Sequence, residues 1–336
     1  MYTLKIKNLA GNYINEITAH KGFNYNFELN RPGGCEIQTN IDLMDKFTMT
    51  TLYPYLAYLD IFRYNTLVWS GPLSKISGSV GPESGSMSLN FSGYLKLLEK
   101  MFMGPLGETY SAIDQGTILW TMLNNFQSIP NAGYGITCGN VTTGILRDRT
   151  YSAFKKIYDG FIEMTGVING CDIEITPAKV FNAYLYKGHR LNHVFEYGKN
   201  ISDFSFSIDG DSIVNNSIAI GSGEDTDLLY SAANNMQSQE KYGLLQGIIQ
   251  KSDVIEINTL SEYAQNDVKE NGEPTSIIGL TAIVTDDPPF MGYETGDEIR
   301  VKINKGWLSF DKYLRIKNIE VNVDIEGKET VRVEFQ

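Results

Sequence analysis

The 336-residue sequence has few cysteines, few histidines, little charge and no long apolar run. Its three cysteines, Cys35, Cys138 and Cys171, form no CxxC pair and no metal-ligand spacing, so we expect structural thiols. No stretch of about 18 apolar residues occurs, which argues against a membrane-spanning helix. The first residues alternate like a strand and lack the basic and apolar parts of a secretory signal. We therefore expect the chain to fold in a reducing cytoplasm.

Signatures of catalysis and of cofactor binding are also missing. GxSxG, P-loop and dinucleotide-binding motifs are absent, and only His20, His189 and His193 could exchange protons near neutral pH. His189 and His193 are four residues apart, but flanking strand patterns argue against the helix that a zinc site of this spacing needs. The acidic residues in 209–211 and 224–227 do not match the calcium-binding loop, and solvated turns are favoured. We predict no catalytic residues, no metal site and no cofactor.

The sequence does contain enough apolar surface for a folded core. Hydrophobic residues make up 42% and aromatic residues 12%, which argues against disorder and, at this length, favours two or three domains. The net charge of -12 argues against binding of nucleic acid through its phosphates. Residues 203–298 hold 18 acidic side chains against three lysines, whereas residues 1–168 are neutral. The negative charge therefore belongs to one segment.

Alternating apolar residues predict strands in the first ninety residues. A strand is expected at 23–29, and a hairpin is expected from 58–64 to 67–69 with its turn at Asn65. A second hairpin is predicted between 73–80 and 86–91. Consecutive hairpins of this kind are typical of an antiparallel sheet or a small barrel.

Helical spacing replaces this alternation after Gly93. Apolar residues at helical intervals predict helices within 95–102, 118–126 and 154–165. Gly166 is the expected end of the third helix, and Asp148 or Thr150 could cap its start. The middle of the chain is therefore expected to be largely helical.

Strands return in the last third of the chain, after one further helix. Thr259 and Glu262 match a capping box, and Asn271 is expected to stop the helix that follows. Further strands are predicted, in the middle section and here, at 171–175, 181–186, 277–284, 299–303, 313–323 and 331–335.

The long strand at 313–323 changes its apolar phase at Asn318, which predicts a bulge or strong bend. Its hairpin with 331–335 also repeats the apolar spacing of the hairpin at 73–91. This repeat indicates either a true duplication or the common pattern of amphipathic hairpins, and the sequence leaves both open.

Several motifs, in this order, resemble the tail hub proteins of long-tailed bacteriophages. The matching segments are YLDIFR at 58–63, VWSGPL at 68–73, SLNFSGYLKLL at 88–98, FEYGKNI at 195–201, 216–221, GDEIRV at 296–301, and the final hairpin at 313–335. The resemblance extends over most of the chain, although each motif alone is degenerate.

This resemblance implies a mainly β fold with two similar antiparallel β-barrel domains and a helical or α+β region, as in contractile-phage baseplate hubs. The implied domains are an N-terminal barrel at 1–95, a middle region at 96–200 and a second barrel with one amphipathic helix at 201–336.

The resemblance also implies a function and partners. We expect a non-enzymatic virion protein at the tail tip, a homotrimer that forms a pseudo-sixfold ring. Its expected partners are the distal tail protein, the tape measure protein and tail fibre or spike proteins. DNA would pass through its channel during ejection without sequence-specific binding.

Three further hypotheses stay open at this point. The chain could be a distal tail protein or another tail ring component, which shares the barrel architecture. More distantly, it could be a glycan hydrolase that uses two carboxylates, because carboxylates are plentiful. Part of the acidic segment at 203–298 could also line the channel and repel DNA phosphates, with exposed acidic loops as the alternative.

Overall fold

A computed structural model describes residues 1–43, 51–81, 85–282 and 288–336, without the side chains of 43 and 275–278. The end of the strand predicted at 277–284 therefore lies outside the described residues, as does most of the turn between the hairpin strands at 73–80 and 86–91.

Strands dominate the described residues. The first seven, β1–β7, are Tyr2–Lys7, Tyr13–Glu16, Gly22–Glu28, Gly34–Asn40, Tyr58–Arg63, Thr66–Val80 and Gly85–Ser92. The next five, β8–β12, are Glu108–Asp114, Thr137–Cys138, Leu146–Tyr151, Asp172–Ile175 and Val180–Tyr184. The following five, β13–β17, are Arg190–Glu196, Ile201–Asp209, Asn216–Ile220, Tyr230–Asn234 and Gln246–Gln250. The last four, β18–β21, are Thr275–Ala282, Glu298–Lys305, Leu308–Asp324 and Glu329–Phe335.

The described residues also include four α-helices and three short 3₁₀ helices. The α-helices α1–α4 are Gln115–Gln127, Ile157–Thr165, Met236–Tyr242 and Ile257–Glu270. The 3₁₀ helices are Ile41–Leu43, Tyr94–Lys100 and Asp225–Asp227. The segment predicted as helical at 95–102 is therefore a 3₁₀ helix that stops before the exposed Phe102.

Two predicted helix starts are wrong. Asp148 and Thr150 lie on β10, and α2 begins only after Lys156, because residues 146–151 pair with β8. Gly166 ends α2 as predicted. The capping box fails as well, since α4 begins two residues before Thr259, although Asn271 does end it. Glu262 bonds to arginines instead, because charge-assisted hydrogen bonds are stronger than bonds to a backbone N–H.

Thirteen of the described strands join one sheet, which includes strands from both ends of the chain. Its main path runs in the order β14-β18-β21-β20-β3-β4-β7-β6-β5-β1-β2, and β13 and β19 attach beside β20. The pairing of β20 with β3 connects strands that are almost 300 residues apart. The described strands form no closed barrel, because this path ends at β14 and β2.

The long strands β6 and β20 each pair with different strands along their two halves. β6 pairs with β5 up to Pro72 and with β7 from Leu73 onward, with a register shift between Leu73 and Lys75. β20 pairs first with β19 and then with β21 and β3. Its register shifts between Ile316 and Asn318, which confirms the irregularity predicted from the change of apolar phase.

Three apolar clusters stabilise the part of the chain that the structure describes. The largest joins the N-terminal strands to strands after Arg190, with Tyr25, Leu59, Val321 and Phe335 fully buried. The second packs the Tyr94–Lys100 turn, α1 and α2 around Phe161. The third is small and covers one side of the β16-β15-β17 sheet with α4. The first cluster places the N-terminal and C-terminal strands in one common core.

Candidate functional site: a polar sheet face

Eight neighbouring strands of the large sheet have one apolar and one polar face. In β3, Phe23 and Tyr25 are buried whereas Asn24 and Asn26 are not, and β20 alternates in the same way. Because partners in a ladder point to the same side, the register carries this polarity from strand to strand.

We call the uncovered side the polar sheet face. Its members come from the second half of β6 and from β7, β4, β3, β20, β21, β18 and β14. They are Lys75, Ser77, Ser79, Ser86, Ser88, Asn90, Glu36, Gln38, Asn40, Asn24, Asn26, Glu28, Asn318, Glu320, Asn322, Asp324, Thr330, Arg332, Glu334, Thr281, Asp203, Ser205, Ser207 and Asp209.

Side-chain hydrogen bonds connect neighbouring strands across this face. The Asn26 amide donates to the Asn318 oxygen at 3.0 Å, and the Ser88 hydroxyl donates to Glu36 at 2.7 Å. At the β14 end, the Thr281 hydroxyl donates to Asp203 at 2.9 Å. Short polar side chains that bond to each other hold the face in one conformation while leaving it fully hydrated.

The polar sheet face carries more negative than positive charge. Its carboxylates are Glu28, Glu36, Glu320, Asp324, Glu334, Asp203 and Asp209, and its only cations among the described strand side chains are Lys75 and Arg332. Seven carboxylates against two cations give a net charge of -5. Arg332 lies 3.6 Å from Glu334, so part of this charge is compensated locally.

Only two of these carboxylates, Asp203 and Asp209, come from the acidic segment at 203–298. Other acidic residues of that segment lie elsewhere, on the 3₁₀ turn Asp225–Asp227 and on α4. Glu262 bridges Arg147 and Arg149, and Asp253 pairs with Lys155. The acidic segment therefore does not form one surface.

An ion pair supports the apolar side of the same sheet. Arg63 on β5 binds Glu329 on β21 through two hydrogen bonds of 2.6 and 2.8 Å. Burial would raise the pKa of Glu329, but hydrogen bonds from Arg63 and Tyr2 and the Arg63 charge lower it overall. The Tyr2 and Tyr25 hydroxyls lie 3.0 Å apart, and burial raises both of their pKa values.

The sequence candidates for chemistry do not come together. His189 precedes β13 with its ring 74% exposed and lies 3.3 Å from Asp297, while His193 lies on β13. His20 lies between β2 and β3 and packs edge-on against Phe23, and burial lowers its pKa.

Metal and membrane features are not found in the described ranges. Across residues 1–43, 51–81, 85–282 and 288–336, no group of three or more His, Cys, Asp or Glu could hold a metal ion. In the same ranges, no helix is both long enough and apolar enough to cross a bilayer. The three cysteines are free thiols, with Cys35 and Cys171 buried and Cys138 exposed.

Sequence reasoning missed the polar sheet face. Its signal is present, since GSMSLNFS and YNFELN alternate apolar residues with Ser, Asn or Glu. Each segment alone is typical of any half-buried strand, so the common surface appears only once the strand order is known.

Long bent strands, their hairpins and a helical middle section together make up a fold that also occurs in bacteriophage tail proteins. Residues 189–336, from just before β13 to the C-terminus, match the family model described as prophage endopeptidase tail. No curated protein sequence matches the chain.

Solved structures match the whole chain at low identity. A 43 kDa tail protein of prophage MuSo2 from Shewanella oneidensis has 9% identity and a TM-score of 0.67, with 99% of this chain and 98% of that chain covered. A tail protein from Neisseria meningitidis has 9% identity and a TM-score of 0.65, with 99% and 96% covered.

A type VI secretion component from E. coli also matches. It is described as similar to the T4 tail proteins gp27 and gp5, and it has 10% identity and a TM-score of 0.55, with 99% of this chain and 76% of that chain covered. The resemblance to phage tail hub proteins is therefore confirmed for the fold, which is similar to that of baseplate-hub-like proteins.

Proposed function

We propose that this chain is the structural, non-enzymatic hub of a phage tail tip or baseplate. In the virion, three copies form a ring that joins the distal tail protein to the tip and surrounds a channel for the tape measure protein and DNA. The polar sheet face is the observation that carries this proposal, and in the ring it lines the channel.

The chemistry of the face suits a channel wall. Stable protein interfaces have apolar, well-packed centres, but the described side chains here are short, polar and hydrated. A surface of Ser, Asn and Gln offers neither an apolar site nor a cluster of cations that would hold DNA. Its net charge of -5 repels phosphates that approach closely, so DNA slides past without being bound.

The two similar strand sets support the pseudo-sixfold ring. β6 and β20 are both long, shift register midway and form hairpins with β7 and β21. Three chains would present six such units, which would match a sixfold ring of the distal tail protein. We retain the division at 1–95, 96–200 and 201–336, with two barrel-like domains, as part of this proposal.

Native mass spectrometry of the purified protein and a reconstruction of intact tails test the proposal. We expect a trimer, one threefold ring per tail tip and the polar sheet face toward the axis. Six copies would favour a distal tail protein instead, and a monomer absent from virions would overturn both. Zymography on cell-wall glycan should show no activity; cleavage would overturn the non-enzymatic role.

A charge-reversal variant tests the channel wall. Replacing Glu36 and Glu320 by lysine should leave tail assembly unchanged but slow DNA ejection, because the new cations attract phosphate. The control, Glu270→Lys, changes an exposed carboxylate on α4. Ejection at the normal rate from particles with the doubly reversed wall would contradict a channel position for this face.

A further inference from the structure

Strand β14 has an open edge from Ser202 to Asp209, since among the described residues only Ile201 makes a bridge on that side, to Tyr197. It pairs with β18 on one side and stands at the end of the sheet path. After the buried Ile201, every residue of β14 except Phe204 is exposed. A long, flat edge with free N–H and C=O groups is unstable in isolation and pairs readily with another strand.

The second half of β6 presents the opposite edge of the same eight strands. From Ser74 to Val80 this strand pairs with β7 on one side, and no described strand pairs with its other side. The half-strand ends in Val80, whose side chain is 77% exposed. Both open edges are therefore about seven or eight residues long.

The directions of the two edges are compatible. Each neighbouring pair in the series β6, β7, β4, β3, β20, β21, β18 and β14 is antiparallel. Because the series has an even number of strands, its first and last strands run in opposite directions. If a second copy continues the series with its polar face on the same side, β14 of the first copy meets β6 of the second copy in antiparallel orientation.

The side chains of the two edges are also complementary. On the polar sheet face, β14 carries Asp203 and Asp209, whereas β6 carries Lys75. On the other face, β14 carries the exposed Phe206 and Ile208, and Val80 lies on the corresponding side of β6. Opposite charges and apolar groups on matching sides favour pairing between copies over pairing of β14 with itself.

An aromatic contact extends the apolar side of the β14 edge. Trp307, in the turn between β19 and β20, is 77% exposed and packs edge-on against Phe206 with 5.7 Å between ring centroids. Phe206 also stacks on Phe204. Monomers rarely leave such aromatic patches uncovered, and aromatic residues are enriched where interfaces are most buried.

We propose that β14 of one copy pairs with the second half of β6 of the next copy, and that Phe206 and Trp307 cover the apolar side of this junction. The occupant of each open edge is thus a second copy of this chain. This inference rests on the proposed trimeric hub and specifies how its copies join. Three head-to-tail junctions leave none of these edges open.

Cysteine cross-linking of the full chain tests the junction. In a Cys138→Ser background, Ser77→Cys is combined in turn with Asp203→Cys, Ser205→Cys and Ser207→Cys, all on the polar sheet face. Cross-strand Cβ distances fall in the range that a disulfide needs. After oxidation, at least one combination should run as a covalent trimer on a non-reducing gel.

Two controls separate the possible results. Single-cysteine variants should run as monomers on the gel. Dimers from Ser205→Cys alone would mean that β14 pairs with β14 of another copy, and this result would overturn the proposal. Ser77→Cys combined with Gln237→Cys, on the exposed side of α3, should give no trimer. A trimeric native mass with no cross-link from any combination would overturn this junction but leave the hub intact, whereas a monomeric mass would overturn both.

The aromatic cover has its own test. Phe206→Asp should raise the concentration needed for half-assembly at least tenfold, because the charge would be buried at the junction. Ile248→Asp is the matched control, since Ile248 is 65% exposed on a different sheet, and it should leave assembly unchanged. Equal assembly of the two variants would contradict a role for Phe206 at the junction.

Discussion

Replacing Glu329 with alanine should destabilise the fold by about 3–5 kcal/mol, because it leaves a buried cation without its partner. The Arg63 and Glu329 side chains are only 15% and 10% exposed. The Arg63 guanidinium also lies 4.7 Å from the Phe290 ring and 4.8 Å from the Tyr64 ring, so it cannot reach water without losing these contacts. The pair connects β5 to β21 across the largest core.

A second ion pair in the same chain provides a control with nearly the same geometry. Arg300 binds Asp311 through two hydrogen bonds of 2.7 and 2.8 Å, but these side chains are 43% and 44% exposed. Asp311→Ala should therefore cost less than about 1 kcal/mol, since water replaces the lost partner. Burial is the main difference between the two experiments.

The effect of Glu329→Ala should also depend on pH. The folded-state pKa of Glu329 is lowered, so its charge adds stability that is complete above the unfolded pKa of about 4.3. This contribution is lost as the pH falls through the lower, folded pKa. The difference in the free energy of unfolding between the original protein and the alanine variant should therefore shrink below about pH 4.

Urea unfolding followed by tryptophan fluorescence, at pH 7 and at pH 3.5, measures both effects. The double variant Arg63→Met with Glu329→Met should recover most of the loss, because an apolar pair carries no desolvation cost. A loss at pH 7 no larger than that of Asp311→Ala would refute the role of burial. A difference in unfolding free energy that stays constant between the two pH values would refute the role of the carboxylate charge.

Three further predictions concern other parts of the chain. One thiol per folded chain, Cys138, should react with an aromatic disulfide reagent, and all three should react in urea, because the other two are buried and burial raises their pKa values. Gly71→Ala should destabilise by at least about 1–3 kcal/mol in urea unfolding, since its Cβ would lie 2.0 Å from a backbone oxygen, whereas Gly104→Ala meets nothing within 4 Å. Glu262→Gln should speed hydrogen exchange in α4 by removing the charge that binds two buried arginines, whereas Glu270→Gln, exposed on the same helix, should not.

Local patterns predicted the local elements well. The hairpin around Asn65, the helix over 118–126 and the irregularity near Asn318 all depend on neighbouring residues, so the sequence expresses them directly. The predicted start of α2 is wrong because pairing with β8 holds residues 146–151 in a strand. The sequence of one segment does not show that a distant strand competes with local helix formation.

The candidate site could not be predicted for the same reason, at larger scale. The polar sheet face requires β20 to lie beside β3, and this pairing joins residues such as Asn318 and Glu28 that are far apart in the chain. Alternation shows that each strand has a polar side, but it does not show which strands are neighbours. The open edges of β14 and β6 depend on the same strand order.

The distribution of charge shows most clearly how sequence and surface differ. In the sequence the negative charge is concentrated in residues 203–298, but five of the seven carboxylates on the polar sheet face lie outside that segment. At physiological salt, each charge acts over about 8 Å. Carboxylates dispersed over five of the eight strands therefore repel a phosphate only when it nears the wall, and they create no long-range barrier at the channel entrance. A dense acidic patch would instead oppose the entry of DNA, so the dispersed arrangement is the one that the proposed channel requires.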